Sequence, residues 1–258
     1  MKPKLAVLKF ASCDGCQLQL LNAEDELLTL AQVVDFAYFP EARSRAERGP
    51  YDITLVEGSI STPEDARRIV KVREHSRYLV TIGACAVAGG IQALRNWADI
   101  DDYKRIAYPS PEFISALSTS TPISEHVRVD FEVWGCPVDK HQLLGVIRSL
   151  LSGTRPALPS YSVCMECKRR AAACVVVARG EVCLGPVTRA GCGAICPSMS
   201  RGCYGCFGPC DDPNMSAFTA LLRHLGLSSE EIVRRLRGIN GYVRPLRETT
   251  DAVEAAKP

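Results

Sequence analysis

Cysteines are the residues of this sequence whose type and spacing are best suited to chemistry. The chain has thirteen, four of them in the first 163 residues and nine between Cys164 and Cys210. An odd number of cysteines without an export signal argues against a disulfide framework, because cytosolic thiols are kept reduced. Reduced cysteine clusters usually bind metal, so the composition alone predicts metal centres.

The four N-terminal cysteines follow predicted strands at equivalent places. Cys13 and Cys16 form a CxxC pair after the first strand, and Cys85 and Cys136 each follow a later strand that ends in glycine. The carboxyl ends of parallel strands line one crevice, where ligands bind. Four thiolates that converge there suit a [4Fe–4S] cluster. A thioredoxin-like role for the CxxC pair would leave Cys85 and Cys136 unmatched.

The C-terminal cysteines divide by order into two quartets, with Cys210 left over. The first quartet is Cys164, Cys167, Cys174 and Cys183, and the second is Cys192, Cys196, Cys203 and Cys206. Eight thiolates suit two four-cysteine sites. Zinc is the alternative, although zinc ribbons generally pair two CxxC hairpins and several of these cysteines stand singly.

The elements that must position the first four cysteines alternate between strands and helices, which is typical of an α/β domain with a mainly parallel sheet. Strands are predicted near residues 4–10, 33–39, 52–58, 78–83 and 131–135. One helix is expected to bury Leu18, Leu21, Leu27, Leu28 and Ala31, a second to begin at Thr62-Pro63, and a third to cover 139–151. Residues 97–126 are expected to form a long insertion.

Glycine and proline at 153–159 predict a domain boundary. We expect an α/β domain over 1–155, a loop-rich cluster domain over 160–245 with helices near 215–225 and 229–237, and a flexible tail over 246–258. Ser228 or Ser229 is a candidate cap for the second of these helices.

Charge and hydropathy exclude several classes of function. Lys plus Arg (31) nearly balance Asp plus Glu (29), so the net charge of +2 gives no reason to expect nucleic acid. No apolar run approaches the ~18 residues of a membrane span. The N-terminus lacks a signal-peptide core and a twin-arginine motif, so we expect a cytoplasmic location.

Six motifs together resemble the small subunit of [NiFe] hydrogenases. They are SCDGC (12–16), VEGS (56–59), GACA (83–86), GCP (135–137), CLGPVTRAGC (183–192) and RGCYGC (201–206). The resemblance covers nearly the whole chain and is strongest to the cytoplasmic, pyridine-nucleotide-linked branch, which includes the δ subunit of sulfhydrogenases. It implies a flavodoxin-like first domain and an electron-transfer role.

The resemblance also implies cofactors, ligands and partners. The first four cysteines would bind a proximal cluster, Cys164, Cys167, Cys174 and Cys183 a distal cluster, and Cys192, Cys196, Cys203 and Cys206 a medial cluster. The Ni–Fe centre would belong to a separate large subunit, because this chain lacks the paired CxxC nickel motifs. FAD and NAD(P) would be bound by diaphorase and ferredoxin-like partner subunits.

Two positions depart from the exported members of that family. Cys164 stands where they have histidine, and Cys196 stands where they have proline beside a [3Fe–4S] cluster. We therefore expect three [4Fe–4S] clusters, with a medial centre of lower potential. Cys210 has no family role, which leaves the fourth medial ligand open.

Two other interpretations remain. The small cluster-bearing subunit of respiratory complex I shares the first domain, but it has adjacent cysteines in place of CxxC and lacks the second eight. A zinc-stabilised interaction module without catalysis would be colourless. Glu57, at the end of a buried strand, could act beside the proximal site or be a hydrogen-bonded structural carboxylate.

Overall fold

The computed structural model of the protein describes residues 2–256, and these form two units. The division falls between Ala157 and Leu158, within the predicted glycine- and proline-containing boundary at 153–159. Each unit has its own apolar core.

The first unit is built on a five-stranded sheet in which every neighbouring pair is parallel. The strands are β1 (Lys4–Lys9), β2 (Asp35–Tyr38), β3 (Tyr51–Glu57), β4 (Ser76–Ile82) and β5 (Phe131–Val133). Their order, β2-β1-β3-β4-β5, is that of flavodoxin-like folds, as predicted. The central strand β3 is buried along almost its whole length, which explains its continuous run of apolar residues.

Helices cover the sheet, and three of the six begin at a side chain that caps them. They are α1 (Gly15–Leu21), α2 (Asp25–Val33), α3 (Pro63–Glu74), α4 (Gly83–Ala88), α5 (Ile100–Ala107) and α6 (Lys140–Leu151). The backbone N–H of Asp65 donates to Thr62 Oγ1 at 3.1 Å, and that of Gln142 donates to Asp139 Oδ1 at 2.9 Å. The predicted starts of α3 and α6 are therefore confirmed.

The prediction of a single helix after β1 is wrong. The structure has two helices there, α1 and α2, and the expected apolar face is largely in solvent: Leu18 is 50% exposed and Leu28 is 67% exposed. Leu20 and Leu30 are the leucines that the two helices bury. The break between α1 and α2 rotates the second helix, so one helical period does not extend across both.

Side-chain hydrogen bonds to main-chain carbonyl groups attach the expected insertion to the rest of the first unit. It contains α5 and two 3-10 turns, and it follows the 3-10 helix Ile91–Trp97, which holds Arg95 and Asn96. Nη2 of Arg95 donates to the carbonyl oxygens of Ser61, Leu117 and Thr119 at 3.1, 3.1 and 2.8 Å. Asn96 adds a reciprocal pair of hydrogen bonds with the backbone of Ser120.

The second unit combines loops with short helices. These are α7 (Val163–Arg169), α8 (Val175–Arg179), α9 (Ile195–Ser198), α10 (Met215–His224), α11 (Ser229–Leu236) and α12 (Arg244–Ala255). The two helices predicted near 215–225 and 229–237 correspond to α10 and α11. Ser228 caps α11 in a capping box with Glu231, so it is Ser228 and not Ser229 that has this role.

The flexible tail expected over 246–258 is wrong for the described residues. Helix α12 occupies Arg244–Ala255 and buries Leu246, Thr250 and Val253, which are 7%, 0% and 4% exposed. These three lie at positions i, i+4 and i+7, so they form one stripe that packs into the core with α10 and α11. Residues 257–258, the end of the expected tail, lie outside the described residues.

Within residues 2–256, the helices are all too short or too polar to cross a bilayer.

Candidate functional site

The first cysteine quartet lies at the carboxyl edge of the sheet. Cys13 and Cys16 follow β1, Cys85 lies in α4 directly after β4, and Cys136 follows β5. Burial, with smaller contributions from the charges of Cys136 and Cys13, raises the pKa of Cys85 to about 11. Burial likewise raises the pKa of Cys16, with contributions from Cys85 and Cys136. The fold therefore brings these four thiols close enough for their charges to affect one another.

Glu57 fixes the conformation of the CxxC loop. It ends β3, the strand between β1 and β4, and is 2% exposed. Its Oε1 accepts the backbone N–H of Cys16 at 3.0 Å and its Oε2 accepts that of Gln17 at 3.3 Å. Burial nevertheless raises the pKa of the Glu57 carboxyl. Of the two roles considered for Glu57, the structure supports the hydrogen-bonded structural carboxylate.

Glycines leave room beside two of these thiols. Gly83 has φ +85°, and a Cβ there would lie 2.3 Å from Cys16 Sγ. Gly90 has φ +64°, and a Cβ there would lie 2.7 Å from Cys85 Sγ. At both positions a side chain is disfavoured for two reasons: the backbone is left-handed, and the Cβ would lie too close to sulfur.

Gln92 is a contact of this site that sequence reasoning missed. The Cys85 thiol donates to its Oε1 at 3.5 Å, while its Nε2 donates to the carbonyl oxygen of Ala11 at 2.7 Å. Gln92 thus links the cysteine after β4 to the loop after β1. Nothing in its local sequence distinguishes it from other polar residues.

The second quartet is assembled by α7, α8 and the loop that follows. Cys164 and Cys167 lie in α7, Cys174 precedes the first residue of α8, and Cys183 lies in the loop. Burial raises the pKa of Cys164, and the charges of the other three cysteines raise it further. Burial also raises the pKa of Cys167, and the charges of Cys174 and Cys183 raise it further. All four predicted residues are therefore neighbours.

The third quartet lies beside the second through Cys203. Burial raises the pKa of Cys203 to about 12, and both Cys183 and Cys192 contribute. The backbone N–H of Cys203 donates to Cys183 Sγ at 3.2 Å, so the second and third quartets touch. Cys196 lies in α9 and Cys206 three residues after Cys203. Their grouping with Cys192 and Cys203 rests on chain position.

Glu166 joins the loops of these two quartets, a role that the sequence did not indicate. It stands between Cys164 and Cys167, and its two carboxylate oxygens accept the backbone N–H groups of Gly191 and Ala194 at 2.9 and 3.1 Å. The same carboxylate contributes to the raised pKa of Cys192, which is due mainly to burial. One side chain thus holds the loop on either side of Cys192.

Cys210, the cysteine left over, is 8% exposed, and its backbone N–H donates to the carbonyl oxygen of Val187 at 3.0 Å. Burial raises its pKa, and the charged groups that act on it are Arg189 and Asp211.

The donor sets fit iron–sulfur clusters. All thirteen cysteines are free, and four thiols are the usual ligand set of a [4Fe–4S] cluster. Within residues 2–256, no three or more His, Cys, Asp or Glu side chains are grouped closely enough to hold a single metal ion. The space kept open by Gly83 and Gly90 lies directly beside the sulfur atoms.

Comparison with known proteins places the chain in a family. Residues 13–150 match the family described as NADH ubiquinone oxidoreductase, 20 Kd subunit. The chain is 37% identical over 234 residues to the sulfhydrogenase 2 subunit delta of Pyrococcus furiosus, covering 91% of this chain and 98% of the relative. It is 31% identical to a subunit of the F420-non-reducing hydrogenase (vhu) of Methanococcus voltae, over 82% of this chain and 84% of the relative.

A solved structure is also similar to this chain. A chain of an NAD+-reducing [NiFe]-hydrogenase in the H2-reduced state has a TM-score of 0.58 and 30% identity. The match covers 62% of this chain and 96% of that chain. With its parallel sheet, its cysteine quartets and a relative that it matches over nearly full length, the chain belongs to the small subunits of [NiFe] hydrogenases.

Proposed function

We propose that this chain is the electron-transfer subunit of a hydrogenase and binds three [4Fe–4S] clusters. The observation that carries the proposal is a set of twelve free cysteines, eight of which the structure brings together as two quartets, in a chain of this family. Cys13, Cys16, Cys85 and Cys136 would bind the proximal cluster. Cys192, Cys196, Cys203 and Cys206 would bind the medial cluster, and Cys164, Cys167, Cys174 and Cys183 the distal cluster. A bound [4Fe–4S] cluster accepts and releases one electron at a time.

The protein's own contribution is to position the clusters and set their surroundings. Glu57 and Glu166 hold the cysteine loops by accepting backbone N–H groups. The N–H of Cys203 aimed at Cys183 Sγ, and that of Gly205 aimed at Cys203 Sγ at 3.4 Å, are hydrogen bonds to sulfur. Such bonds stabilise the more negative reduced state and raise a cluster's reduction potential.

We further propose the partners of the chain. A large subunit would carry the Ni–Fe centre and the hydrogen chemistry, and a diaphorase with FAD and NAD(P) would accept electrons beyond the distal cluster. The 30% identity to a chain of an NAD+-reducing [NiFe]-hydrogenase supports a nicotinamide-linked complex. Thirteen free thiols favour a reducing, cytoplasmic location.

The test is anaerobic purification of the chain with its bound partners, followed by iron, sulfide, nickel and zinc analysis. The same sample is assayed for H2 + 2 methyl viologen(2+) → 2 H+ + 2 methyl viologen(1+). At least about twelve irons and twelve sulfides per copy are expected, to which the partner subunits add their own, together with one nickel in a co-purifying chain and viologen reduction.

Other results would contradict the proposal at different points. Iron without nickel and without viologen reduction would point to a subunit of a complex I-like or other reductase. Zinc in a colourless sample would overturn the electron-transfer role altogether.

A further inference from the structure

Gln92 holds an oxygen atom against the sulfur of a proposed cluster ligand. It lies in the first turn of the 3-10 helix Ile91–Trp97, and its Oε1 is 3.5 Å from Cys85 Sγ. Its Nε2 donates to the carbonyl oxygen of Ala11 at 2.7 Å. Because a backbone carbonyl can only accept a hydrogen bond, Nε2 must be the atom that faces Ala11, and Oε1 is left facing Cys85.

The neighbours of Gln92 fix its position. Gly90 has φ +64°, and a Cβ there would lie 2.6 Å from Gln92 Oε1 and 2.7 Å from Cys85 Sγ. The missing side chain is therefore what lets the amide reach the sulfur. Later in the same 3-10 helix, Arg95 donates to three backbone carbonyl groups. The helix that carries Gln92 is thus anchored close to Cys85.

The contact between Gln92 and Cys85 changes from attractive to repulsive when Cys85 binds iron. In the free protein the Cys85 thiol donates to Oε1. A cysteine that ligates a metal is a deprotonated thiolate. The oxygen, which is the negative end of the amide dipole, then faces a negatively charged sulfur. The amide cannot turn round to offer its N–H instead, because the turn would set Oε1 against the carbonyl oxygen of Ala11.

An oxygen that repels a ligand sulfur acts on electron uptake. One electron, which H2 oxidation on the proposed large subunit would supply, adds one negative charge to an iron–sulfur site. In the second unit, Cys183 Sγ and Cys203 Sγ accept backbone N–H groups, and such bonds favour the added charge. An oxygen beside Cys85 has the opposite effect, so the site that includes Cys85 becomes harder to reduce.

We propose that Gln92 lowers the reduction potential of the site formed by Cys13, Cys16, Cys85 and Cys136, by holding its Oε1 against Cys85 Sγ. The inference rests on the proposed function, which supplies the cluster, and it adds a residue that sets the potential of that cluster. Gln92 is a positioning residue in this role, because it acts through the ligand Cys85.

The test compares Gln92→Leu with Gln92→Glu in the intact hydrogenase complex. Both substitutions remove the N–H that binds Ala11, but only leucine removes the oxygen beside Cys85. Leucine should increase the equilibrium constant for reduction of the proximal cluster roughly tenfold, which is about 59 mV for one electron. Glutamate, charged at pH 8, should decrease that constant at least roughly tenfold.

The measurement is an anaerobic redox titration at pH 8, followed by electron paramagnetic resonance of the reduced clusters. The proximal signal is identified as the one missing from a Cys136→Ala variant. Gln32→Leu and Gln32→Glu are the matched controls. Gln32 is exposed in α2, which ends directly before β2 begins, at the sheet edge opposite to the cysteines. They should leave the midpoint potential of every cluster as it is in the parent, and all four glutamine variants should keep its iron content.

Shifts in the same direction for Gln92→Leu and Gln92→Glu would overturn the inference, because they would trace the effect to the lost bond to Ala11. So would an unchanged or lowered potential in Gln92→Leu. If Gln92→Leu loses iron, Gln92→Met repeats the test with an unbranched side chain, and loss of iron there too would show a purely structural role. The iron content and viologen reduction of the parent complex report separately on the proposed function.

Discussion

At the scale of single residues, the site depends on groups that contact the cysteines without being ligands. Glu57 and Glu166 each accept two backbone N–H groups from a cysteine loop, and Gly83 leaves the space that Cys16 occupies. These contacts determine where the thiols lie before any cluster is bound. Changing them should alter cluster content while every proposed ligand stays in place.

Gly83→Ala is expected to cost the protein its proximal cluster. The new Cβ would lie 2.3 Å from Cys16 Sγ, and the left-handed backbone adds strain of about 1 kcal/mol. Iron analysis should show a loss of about four irons per chain. The matched control is Gly145→Ala in α6, where nothing lies within 4 Å of the new Cβ. Equal iron content in both variants would show that Gly83 has no such role.

Glu166→Gln is expected to loosen the loop around Cys192. A glutamine has one acceptor oxygen where two N–H groups need one each, so Gly191 or Ala194 loses its hydrogen bond at a cost of about 1–3 kcal/mol. The medial cluster should become the first to be lost during anaerobic incubation with a chelator, as followed by iron release. Glu248→Gln, on the exposed face of α12, should release iron at the parent rate. A parent-like rate for Glu166→Gln would contradict the assignment.

The candidate ligands can be recognised in the sequence, whereas the residues that position them cannot. Cysteine is rare, and its CxxC spacing is visible within a few residues. Glu166 contacts Gly191 and Ala194 across 25 and 28 residues, and Gln92 contacts Ala11 across 81. Such pairs are created by the tertiary fold, and common polar residues leave no local signal of them.

At the scale of elements, the pattern of apolar residues predicts the strands of the sheet correctly, but it does not predict the C-terminal helix α12. Strands β3 and β4 are buried apolar runs that end at a charged residue or a glycine, which is a strong local signal. Helix α12 has only two buried apolar residues, Leu246 and Val253, among polar ones. Two apolar residues give too weak a periodic signal to predict a helix. Packing against α10 and α11 stabilises α12 in the folded protein.

Val253→Ala should show that α12 is part of the core. Val253 is 4% exposed, so the loss of its two methyl groups should lower the free energy of unfolding by about 2 kcal/mol. Val177→Ala removes the same groups from a side chain that is 87% exposed, and its effect should stay within about 0.5 kcal/mol. Anaerobic denaturant titration measures both. If α12 were frayed and not packed into the core, the two substitutions would change the free energy of unfolding by the same small amount.

At the scale of the whole molecule, the chain is two units with separate tasks. The first has a parallel sheet and one cysteine quartet, and the second has the other two quartets and little regular structure around them. The first unit has a conventional apolar core, in which Leu55, Leu79 and Ile147 are fully buried. In the second unit, the buried cluster around Val163 and Val175 includes Cys183 and Cys203.

A chain that ends at Ala157 is therefore expected to fold alone and to keep about four irons. Circular dichroism should show a cooperative thermal transition, and iron analysis should give the cluster content. The same shortened chain with Cys136→Ser serves as the control and should lose most of its iron. A shortened chain that is unfolded, or folded but free of iron, would mean that the second unit is needed to complete the first.

The way in which Arg95 and Asn96 pin the insertion has a consequence for how the sequence can change over evolution. Arg95 donates only to carbonyl oxygens, and Asn96 binds the backbone of Ser120. Every residue type offers a carbonyl acceptor, and every type except proline offers the N–H group that Asn96 accepts. The insertion can therefore exchange most of its side chains, and with them whatever its outer surface recognises, while two residues preserve its path. Homologues should vary freely at 110–116 and retain an arginine and an asparagine at 95 and 96.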